Sequence, residues 1–458
     1  MGQDVSAVDD LLVLAEQPDP ISATEDVDLA GLQLEAARER FADLRTRVRI
    51  LDQRATDTGV ESIEKLDDLV PVLFAHTAYK SYPASFVDKG QWDRLTTWFE
   101  SVSATSMDGV ELDGVADVDD WIERLEAAGH FVFSSSGTSG KASFIDQTQT
   151  DIDRIADLLT RIWGWPNQPP RDNSRPLFSL TPSAGPARLV YAFQAQKKYT
   201  GRPDAIYTLT DEPIRMAELN RIMRLQQAMA SGQATPGDVA EFEAGIADRA
   251  QDLHDNYVRV ARALDAHRHE PIVFHGSWPQ AWALLEVCRE LGLPEGGFHP
   301  DSVYLGSGGT KGLALPDDYQ EQVEQFFGGA RRYRGYGMSE TSTHSPVCEQ
   351  GRFHVPPWLT LFVLDETGDA VRWAPSGPVT GRAAYWDPVW DGHWGGTISG
   401  DWITADYGRC ACGRPGPTVE DSIRRAKDVI GIDDDKISCA GAVEAYVRGA
   451  ITTAVDRT

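Results

Sequence analysis

The sequence predicts an α/β fold in which parallel strands alternate with helices and a β-rich lobe follows. Short apolar runs at 271–274 and 303–305 each end in a glycine-containing turn and are followed by a helical pattern. This order is typical of a parallel-rich sheet flanked by helices. From Leu359 onward, short apolar stretches alternate with turns rich in Gly, Pro and Trp, which indicates the β-rich lobe.

The spacing of apolar residues predicts the helices. Over residues 30–53 it indicates one amphipathic helix, and two polar-rich helical patterns at 212–230 and 238–267 indicate a helical hairpin. In sheets of this kind ligands bind at the carboxyl ends of the strands, which is where the glycine clusters of this chain fall.

Composition excludes several classes of function. The chain has 458 residues, 41% of them hydrophobic, and a net charge of −27, which disfavours nucleic acid and anionic membrane surfaces as partners. We expect no transmembrane helix, because no apolar run approaches about 18 residues. We also expect no signal peptide, because the N-terminus lacks a basic stretch followed by an apolar one. Five cysteines are too few for a disulfide scaffold, which predicts a reducing, cytoplasmic location.

The first candidate site is a loop that follows the apolar residues 131–133. Its backbone N–H groups, hydroxyls and one ammonium suit a polyphosphate, although a flexible Ser/Gly surface loop is the alternative. It is not a Walker loop, which needs Gly at position 135 and Ser or Thr after Lys141. The candidate ligands are Ser135, Ser136, Gly137, Thr138, Ser139, Gly140 and Lys141.

Three further clusters follow along the chain. Residues 306–311 place glycines at a strand end, where a flat ligand can approach the backbone; a plain glycine turn is the alternative. Residues 336–341 combine an aromatic ring, a glycine and a carboxylate, which can stack a base and hold Mg²⁺; an ordinary solvated glutamate is the alternative. In residues 402–406 the carboxylate of Asp406 can accept ribose hydroxyls, and Arg425 can reach them or the phosphate.

The order of these four clusters resembles the adenylate-forming superfamily, which contains acyl-CoA synthetases, peptide-synthetase adenylation domains and luciferases. The resemblance covers about residues 75–445. Residues 336–340 match the superfamily motif Tyr-Gly-x-Thr/Ser-Glu, and residues 135–141 resemble its phosphate loop without the Pro-Lys pair. Residues 402–406 are similar to the ribose motif Tyr-x-Thr-Gly-Asp, with residues 399–401 as a rival match.

Within the superfamily the chain looks most like two branches, the phenylacetate-CoA ligases and the acyl-protein synthetase of bacterial luminescence. Four segments carry this likeness: residues 80–81, 143–146, 348–358 and 410–414.

The resemblance implies that ATP activates a carboxylic acid as an acyl-adenylate, and that a thiol or amine then takes the acyl group. The acceptor would be CoA, a carrier protein or a small amine. Lys141, Glu340 and Thr138 would be catalytic, with Glu340 holding Mg²⁺. The nucleotide would be bound by residues 135–141 and by Gly308, Gly309, Tyr336, Gly337, Ser339, Asp406 and Arg425. The acid would lie against His275, Gly276, Trp278, Ser307, Gly308 and Lys311, and the large ring of Trp278 hints at an apolar or aromatic acid.

Cys348, His354, Cys410 and Cys412 supply three thiolates and one imidazole, the ligand set of a closed tetrahedral zinc site. Both cysteine groups flank motifs that must converge on the nucleotide, so we expect a structural Zn²⁺ that ties the segment after Glu340 to the β-rich lobe. Unpaired, partly buried thiols are the alternative.

The end of the chain departs from the superfamily, whose members carry a mobile C-terminal domain with a lysine for the carboxylate and α-phosphate. We expect an acidic segment at 1–30, a core at 31–427 with the β-rich lobe at about 359–427 and the hairpin at about 211–268, and a hinge with a short remnant at 428–458. No lysine follows Lys436, so Lys141, Lys311, Lys436 or a partner protein would neutralise the phosphate. Two alternatives stay open: self-acylation on Cys439, and a non-catalytic nucleotide- or acyl-binding subunit.

Overall fold

The computed structural model describes residues 6–135, 141–213, 215–230, 232–307, 313–374 and 377–431. It describes the backbone of Ser135 and Ser307 but not their side chains. The following residues named above lie outside the described residues: Ser136, Gly137, Thr138, Ser139, Gly140, Gly308, Gly309, Lys311, Lys436 and Cys439.

The described chain divides into two compact units. The first unit is formed by the residues up to Pro166 and from Gly335 onward, and the second unit by Asn167–Arg334. Among the described residues, no helix has both the length and the apolar character needed to cross a bilayer.

The helices and strands alternate along the chain much as the sequence predicts. The described α-helices are α1 (Ala7–Ala15), α2 (Leu29–Arg47), α3 (Arg49–Thr58), α4 (Ser85–Asp88), α5 (Trp92–Val102), α6 (Val118–Ala127), α7 (Gln149–Ile162), α8 (Arg188–Tyr199), α9 (Met216–Ala230), α10 (Pro236–Ala266), α11 (Trp278–Glu290), α12 (Tyr319–Phe326) and α13 (Ala426–Ile430). Short 3₁₀ helices occupy Ser22–Thr24, Leu66–Val72 and Ala78–Lys80. The described strands are β1 (Phe74–Ala75), β2 (Phe131–Ser135), β3 (Ser143–Gln147), β4 (Arg175–Pro182), β5 (Gly201–Thr210), β6 (Val273–Ser277), β7 (Val303–Ser307), β8 (Arg331–Tyr333), β9 (Gly335–Tyr336), β10 (Ser345–Pro346), β11 (Phe353–His354), β12 (Thr360–Leu364), β13 (Val379–Trp386), β14 (Gly396–Asp406), β15 (Thr418–Val419) and β16 (Arg424–Arg425).

The second unit contains the predicted parallel sheet. Its strand order is β5-β4-β6-β7-β8, and every neighbouring pair is parallel. The apolar runs that predict β6 and β7 are buried, and side chains of α10, α11 and α12 pack in the same core. Phe327, just after α12, stacks on Tyr304 with ring centroids 4.5 Å apart. The predicted α/β fold is thus confirmed.

The first unit contains the β-rich lobe. Its main sheet has the order β11-β15-β14-β13-β12, with β1 parallel and β16 antiparallel to β14. The turns rich in tryptophan pack into the core, and Trp358, Trp386, Trp390 and Trp394 are fully buried. The lobe therefore also takes strands β1 and β11 from outside its predicted bounds.

The single helix predicted over residues 30–53 is wrong, because it divides into α2 and α3. Val48 separates them with φ −96° and ψ 103°, and its N–H still bonds the Leu44 carbonyl at 2.7 Å. The Val48 side chain is completely buried. Its apolar character fits the helical spacing, so tertiary packing rather than the local pattern decides the break. The two helices predicted for the hairpin correspond to α9 and α10.

Candidate active site and metal centre

Tyr336 and Glu340 lie on one short hairpin of the first unit. Strand β9 pairs with β10, so that Tyr336 lies opposite Ser345. A Cβ at Gly337 would lie 2.7 Å from the Cβ of His344, so the close packing of this hairpin requires glycine there. The turn residues are all at most 3% exposed: Ser339, Glu340, Thr341, Ser342 and Thr343.

Glu340 is held inside the protein. The indole Nε1 of Trp390 donates to the Glu340 main-chain oxygen at 3.1 Å. The Glu340 charge also acts on the phenol of Tyr79. Burial is the larger cause of the raised pKa of Tyr79, and the Glu340 charge is the smaller one. A buried carboxylate is costly unless a cation or donors compensate it. Proteins commonly bind Mg²⁺ through one or two carboxylates, and the other ligands of the ion are waters and substrate phosphates. The Glu340 carboxylate therefore fits this metal.

Asp387, which the sequence analysis missed, fixes the turn that carries Glu340. Its Oδ2 accepts a hydrogen bond from the Ser342 N–H at 2.6 Å, and its Oδ1 accepts one from the Val389 N–H at 3.1 Å. Asp387 is 1% exposed. The Trp358 indole donates to the Thr343 hydroxyl at 2.8 Å. The backbone two residues after Glu340 is therefore anchored to the loop after β13.

Tyr336, Asp401 and Arg425 form one contact network. The Tyr336 hydroxyl donates to Asp401 Oδ2 at 3.0 Å, and Arg425 Nη1 lies 2.8 Å from Asp401 Oδ1. Pairing of β14 with β16 sets Asp401 opposite Arg425. Burial of the Tyr336 phenol, with Tyr385 and Asp401 beside it, raises its pKa well above the usual value. Tyr336 therefore donates its proton to the carboxylate.

Asp406 lies at the end of β14 and has different partners. Its Oδ1 accepts a hydrogen bond from the Gly408 N–H at 2.8 Å, which closes the turn after the strand. The ion pair of Arg425 is made with Asp401 instead. Of the two carboxylates left open by the sequence, Asp401 is therefore the one that Arg425 contacts.

Strands β2 and β3 bracket the Ser/Gly loop. They are antiparallel, with Ser135 opposite Ser143, and the intervening residues 136–140 lie outside the described residues. Just beyond them, the Lys141 ammonium lies 4.5 Å from the centre of the Tyr82 ring. The Tyr82 hydroxyl donates to the Ala142 carbonyl at 2.8 Å. The loop thus starts and ends at fixed points, with its lysine against an aromatic face.

A buried polar group supports the base of this hairpin. Asp146, in β3, accepts a hydrogen bond from the Thr105 hydroxyl at 2.8 Å and lies 3.2 Å from His130 Nδ1. Its main-chain oxygen lies 2.8 Å from His393 Nδ1. Burial lowers the pKa of His393 to about 4, so this imidazole is neutral and its Nδ1–H donates.

In the second unit, β6 and β7 bring their ends together. Gly276 lies opposite Gly306 and Ser277 opposite Ser307. Strand β6 leads directly into α11, where Gln280 Oε1 accepts hydrogen bonds from the N–H and hydroxyl of Ser277. This capping box fixes the direction in which the strand end leaves the sheet.

Two residues proposed for the acid site are buried in that unit. Burial lowers the pKa of His275 to about 3, so its imidazole is neutral. Trp278 is 3% exposed and packs in the core, edge-on to Tyr319 and with the Arg332 guanidinium 4.6 Å from its ring centre. A Cβ on Gly306 would lie 2.9 Å from the Trp278 ring. The size of Trp278 is explained by this packing.

Cys348, His354, Cys410 and Cys412 come together in the first unit. Their candidate ligand atoms all lie within 4.8 Å of one another. Cys348 Sγ and Cys410 Sγ are 3.9 Å apart, and Cys412 Sγ lies 3.4 Å from His354 Nε2. A tetrahedral zinc ion with Zn–S bonds of about 2.3 Å and a Zn–N bond of about 2.0 Å gives about 3.8 Å and about 3.5 Å for these separations. The four residues therefore fit Zn²⁺.

The backbone around these cysteines repeats one turn. Residues 348–352 and 410–414 both read Cys-x-x-Gly-Arg. In each, the cysteine N–H bonds the arginine carbonyl and the glycine N–H bonds the cysteine carbonyl, all at 2.9 Å. Gly351 and Gly413 have φ angles of +72° and +90°, which residues other than glycine rarely adopt. The repeated Cys-x-x-Gly-Arg pattern is a signal for this paired turn that is visible in the sequence.

The groups of the cluster differ in protonation, and burial raises the pKa of the Cys410 thiol to about 11. Burial is the main reason that the pKa of His354 falls to about 4, which leaves a neutral imidazole. Burial alone would raise the pKa of the Cys412 thiol, but hydrogen bonds with Arg414, Cys410 and Cys348 together outweigh burial, and the net direction is downward. A neutral imidazole and a thiolate are the forms that bind zinc.

Comparison with known proteins identifies the fold. No protein-family model matches the sequence, and no curated protein matches it. Among solved structures, 2-hydroxyisobutyryl-CoA ligase in the postadenylation state with 2-HIB-AMP matches 87% of this chain and 68% of its own, at 15% identity and a TM-score of 0.51. The same ligase with 2-HIB-AMP and CoA in the thioesterification state matches 89% and 70%, again at 15% identity and a TM-score of 0.51.

The chain thus has the fold of the adenylate-forming enzymes, and the expected resemblance to that superfamily is confirmed at the level of the fold.

Proposed function

We propose that this protein activates a carboxylic acid with ATP and passes the acyl group to a thiol or an amine. The carboxylate oxygen of the acid attacks the α-phosphorus, the bond to the bridging oxygen of the β-phosphate breaks, and pyrophosphate leaves with the electron pair. The observation that carries the proposal is the buried Glu340 turn, set on the same hairpin as Tyr336, which contacts the Asp401–Arg425 pair. In this chemistry positioning and charge neutralisation do most of the work.

The ribose would be held by Asp401 with Arg425 rather than by Asp406. Each carboxylate oxygen can accept a second hydrogen bond beyond those from Tyr336 and Arg425, and the Asp401 side chain keeps 15% of its surface exposed. Tyr336, Gly337, Ser339, Gly308 and Gly309 would line the nucleotide, as the resemblance implies.

The phosphates would be cradled by residues 135–140 and Lys141, with Thr138 among the catalytic hydroxyls. Glu340 would hold Mg²⁺, which when bound neutralises phosphate charge. Lys141 lies at the end of this loop and is the first candidate for the added positive charge. The other candidates for this charge are Lys311, Lys436 and a partner protein.

The acid would lie at the ends of β6 and β7, against His275, Gly276, Trp278, Ser307, Gly308 and Lys311. A neutral His275 can donate or accept one hydrogen bond but brings no charge to the acid. The similar ligase structures contain the acyl-adenylate 2-HIB-AMP, and one of them contains CoA. CoA is therefore the first acceptor to test, before carrier proteins and small amines, and a cytoplasmic location would supply both ATP and CoA.

The cluster of Cys348, His354, Cys410 and Cys412 would bind a structural zinc ion. Three protein thiolates and one imidazole leave no open coordination position, which suits a structural rather than a catalytic metal. Metal analysis of the purified protein should give about one zinc per chain, and none would reject the site.

A pyrophosphate-release screen over a panel of carboxylic acids, with and without CoA and amines, tests the proposed function. The expected result is release that needs both ATP and one class of acid. Nucleotide binding without release for any acid would instead indicate a binding subunit. An acyl label that stays on the protein after denaturation, and is lost in Cys439→Ala, would indicate self-acylation.

A further inference from the structure

Arg414 joins the cysteine cluster to the N-terminal part of the first unit. Arg414 follows Cys412 by two residues, and its guanidinium interacts with the Cys412 thiol. Its Nε donates to Asp19 Oδ2 at 2.7 Å, and its guanidinium carbon lies 4.6 Å from the centre of the Trp165 ring. One side chain therefore contacts a metal ligand, an acidic residue about four hundred positions earlier in the chain, and an indole.

Asp19 is itself held in one orientation. Its Oδ1 accepts hydrogen bonds from the Trp165 indole at 3.1 Å and from the N–H groups of Ile21 and Ser22 at 3.2 Å each. The Ser22 hydroxyl donates to its other oxygen at 3.1 Å. The carboxylate thus organises the turn that starts the 3₁₀ helix Ser22–Thr24, and it presents a fixed acceptor to Arg414.

The same segment covers the cluster. Ile21, Trp165 and Cys348 form a small buried apolar group against which Cys410 and Cys412 pack. The Trp165 ring centre lies 5.5 Å from that of His354. Water is kept from this side of the thiols, and a hydrophobic cover with outer hydrogen bonds is what stabilises metal–thiolate centres in general.

Charge explains why an arginine lies here. Three thiolates and a neutral imidazole around Zn²⁺ leave one net negative charge. The Arg414 cation would neutralise it, and Asp19 in turn fixes the position of that cation. Glu349 also contacts Arg414, at 3.3 Å, but from the exposed side.

We propose that Asp19, Trp165 and Arg414 form an outer layer that retains the metal, and that the bound metal in turn holds residues 19–24 on the first unit. This inference rests on the zinc site proposed above. Retention of the metal and docking of residues 19–24 are then thermodynamically coupled, so that loss of either one weakens the other.

Zinc release from the intact protein to a colorimetric chelator tests the coupling. Asp19→Ala should release zinc about 10- to 100-fold faster than wild type, the usual effect of losing an outer partner of a metal ligand. Trp165→Phe keeps an aromatic ring but removes the indole donor to Asp19, so it should accelerate zinc release by a smaller factor than Asp19→Ala does. Because this change is milder, it also provides a folded variant if Asp19→Ala fails to fold. Glu25→Gln is the matched control, because Glu25 pairs with Arg409 at 2.7 Å between the same two segments but on the surface.

Hydrogen exchange gives the reciprocal measurement. Chelation of zinc from the wild-type protein should speed exchange of the Ile21 and Ser22 amides, while the amides of α10 in the second unit stay unchanged. Equal release rates for Asp19→Ala, Trp165→Phe and Glu25→Gln would overturn the inference and leave the zinc site standing. A purified wild-type protein without zinc would overturn both, and neither result depends on acid activation.

Discussion

The carboxylate of Asp401 and the guanidinium of Arg425 face each other across two paired strands, with 2.8 Å between Oδ1 and Nη1. The pair is completed by the Tyr336 hydroxyl, which reaches the other carboxylate oxygen. Asp406 closes a turn instead. This relationship favours Asp401 as the ribose carboxylate and leads to the first prediction.

Asp401→Ala should weaken ATP binding by about 10- to 150-fold, because each hydrogen bond to a charged group contributes about 1.5–3 kcal/mol. Asp406→Ala should bind ATP nearly as well as wild type, since its carboxylate serves the backbone of Gly408. Calorimetric titration with ATP measures both. Weaker binding in Asp406→Ala with unchanged binding in Asp401→Ala would restore the alternative alignment.

Asp387→Ala should lower the free energy of unfolding by about 2–5 kcal/mol, because it leaves the Ser342 and Val389 N–H groups without their buried acceptor. The same variant should slow acid activation by displacing the Glu340 turn. Urea denaturation and pyrophosphate release measure the two effects.

Asp365→Ala is the matched control for that variant. Asp365 also accepts backbone hydrogen bonds, from Gly368 and Asp369, but in a surface turn where water can replace it. Its loss should cost less than about 1 kcal/mol. Equal destabilisation by the two alanines would show that Asp387 is only a turn former.

Stability should fall as the pH drops below about 6.5, partly because of His393. Burial lowers the pKa of His393 to about 4 in the folded protein, whereas an unfolded histidine has a pKa near 6.5. Between these values the unfolded chain binds a proton that the folded chain does not, so each unit of pH removes about 1.4 kcal/mol of stability.

Between about pH 6 and 4.5, the unfolding free energy of His393→Gln should therefore fall by about 1.4 kcal/mol less per pH unit than that of the wild-type protein. His254→Gln, which makes the same substitution at a side chain that is 43% exposed, is the control. Identical slopes in all three proteins would contradict the assignment.

Salt should stabilise the protein, because a net charge of −27 makes the folded chain repel itself. The melting temperature should rise between about 0.01 M and 0.15 M salt, where the Debye length falls from about 30 Å to about 8 Å. NaCl and KCl should act alike if the effect is screening. A melting temperature that stays constant or falls over this range would contradict it.

The parts of the fold that depend on local pattern could be predicted from the sequence. Strands β6 and β7 begin as apolar runs and end in glycine and serine. A strand that is buried on both faces of a sheet is expected to show such a continuous apolar run. The break at Val48 could not be predicted, because a buried valine suits a continuous helix equally well. Trp278 shows the same limit, since a large ring beside a glycine turn is compatible with either a pocket wall or a core.

Contacts between distant residues decide the rest of the candidate site. Asp387 matters through Ser342, which lies 45 positions away, so no local motif marks it. The choice between Asp401 and Asp406 depends on the pairing of β14 with β16. The candidate metal ligands were predicted from residue type and from their positions beside the nucleotide motifs, and the repeated Cys-x-x-Gly-Arg turn would have strengthened that prediction.

Acid-dependent exchange of labelled pyrophosphate into ATP, measured for Glu340→Gln, tests the central claim most directly. The wild-type protein should catalyse exchange with its preferred acid, and Glu340→Gln should lose about 100-fold or more of it, since the carboxylate proposed to hold the charge-neutralising Mg²⁺ is removed. Glu366→Gln, which removes a surface partner of Arg372, should exchange like wild type. Exchange retained in Glu340→Gln would contradict the metal role of Glu340, and wild-type protein that exchanges with no acid would contradict the proposed function itself.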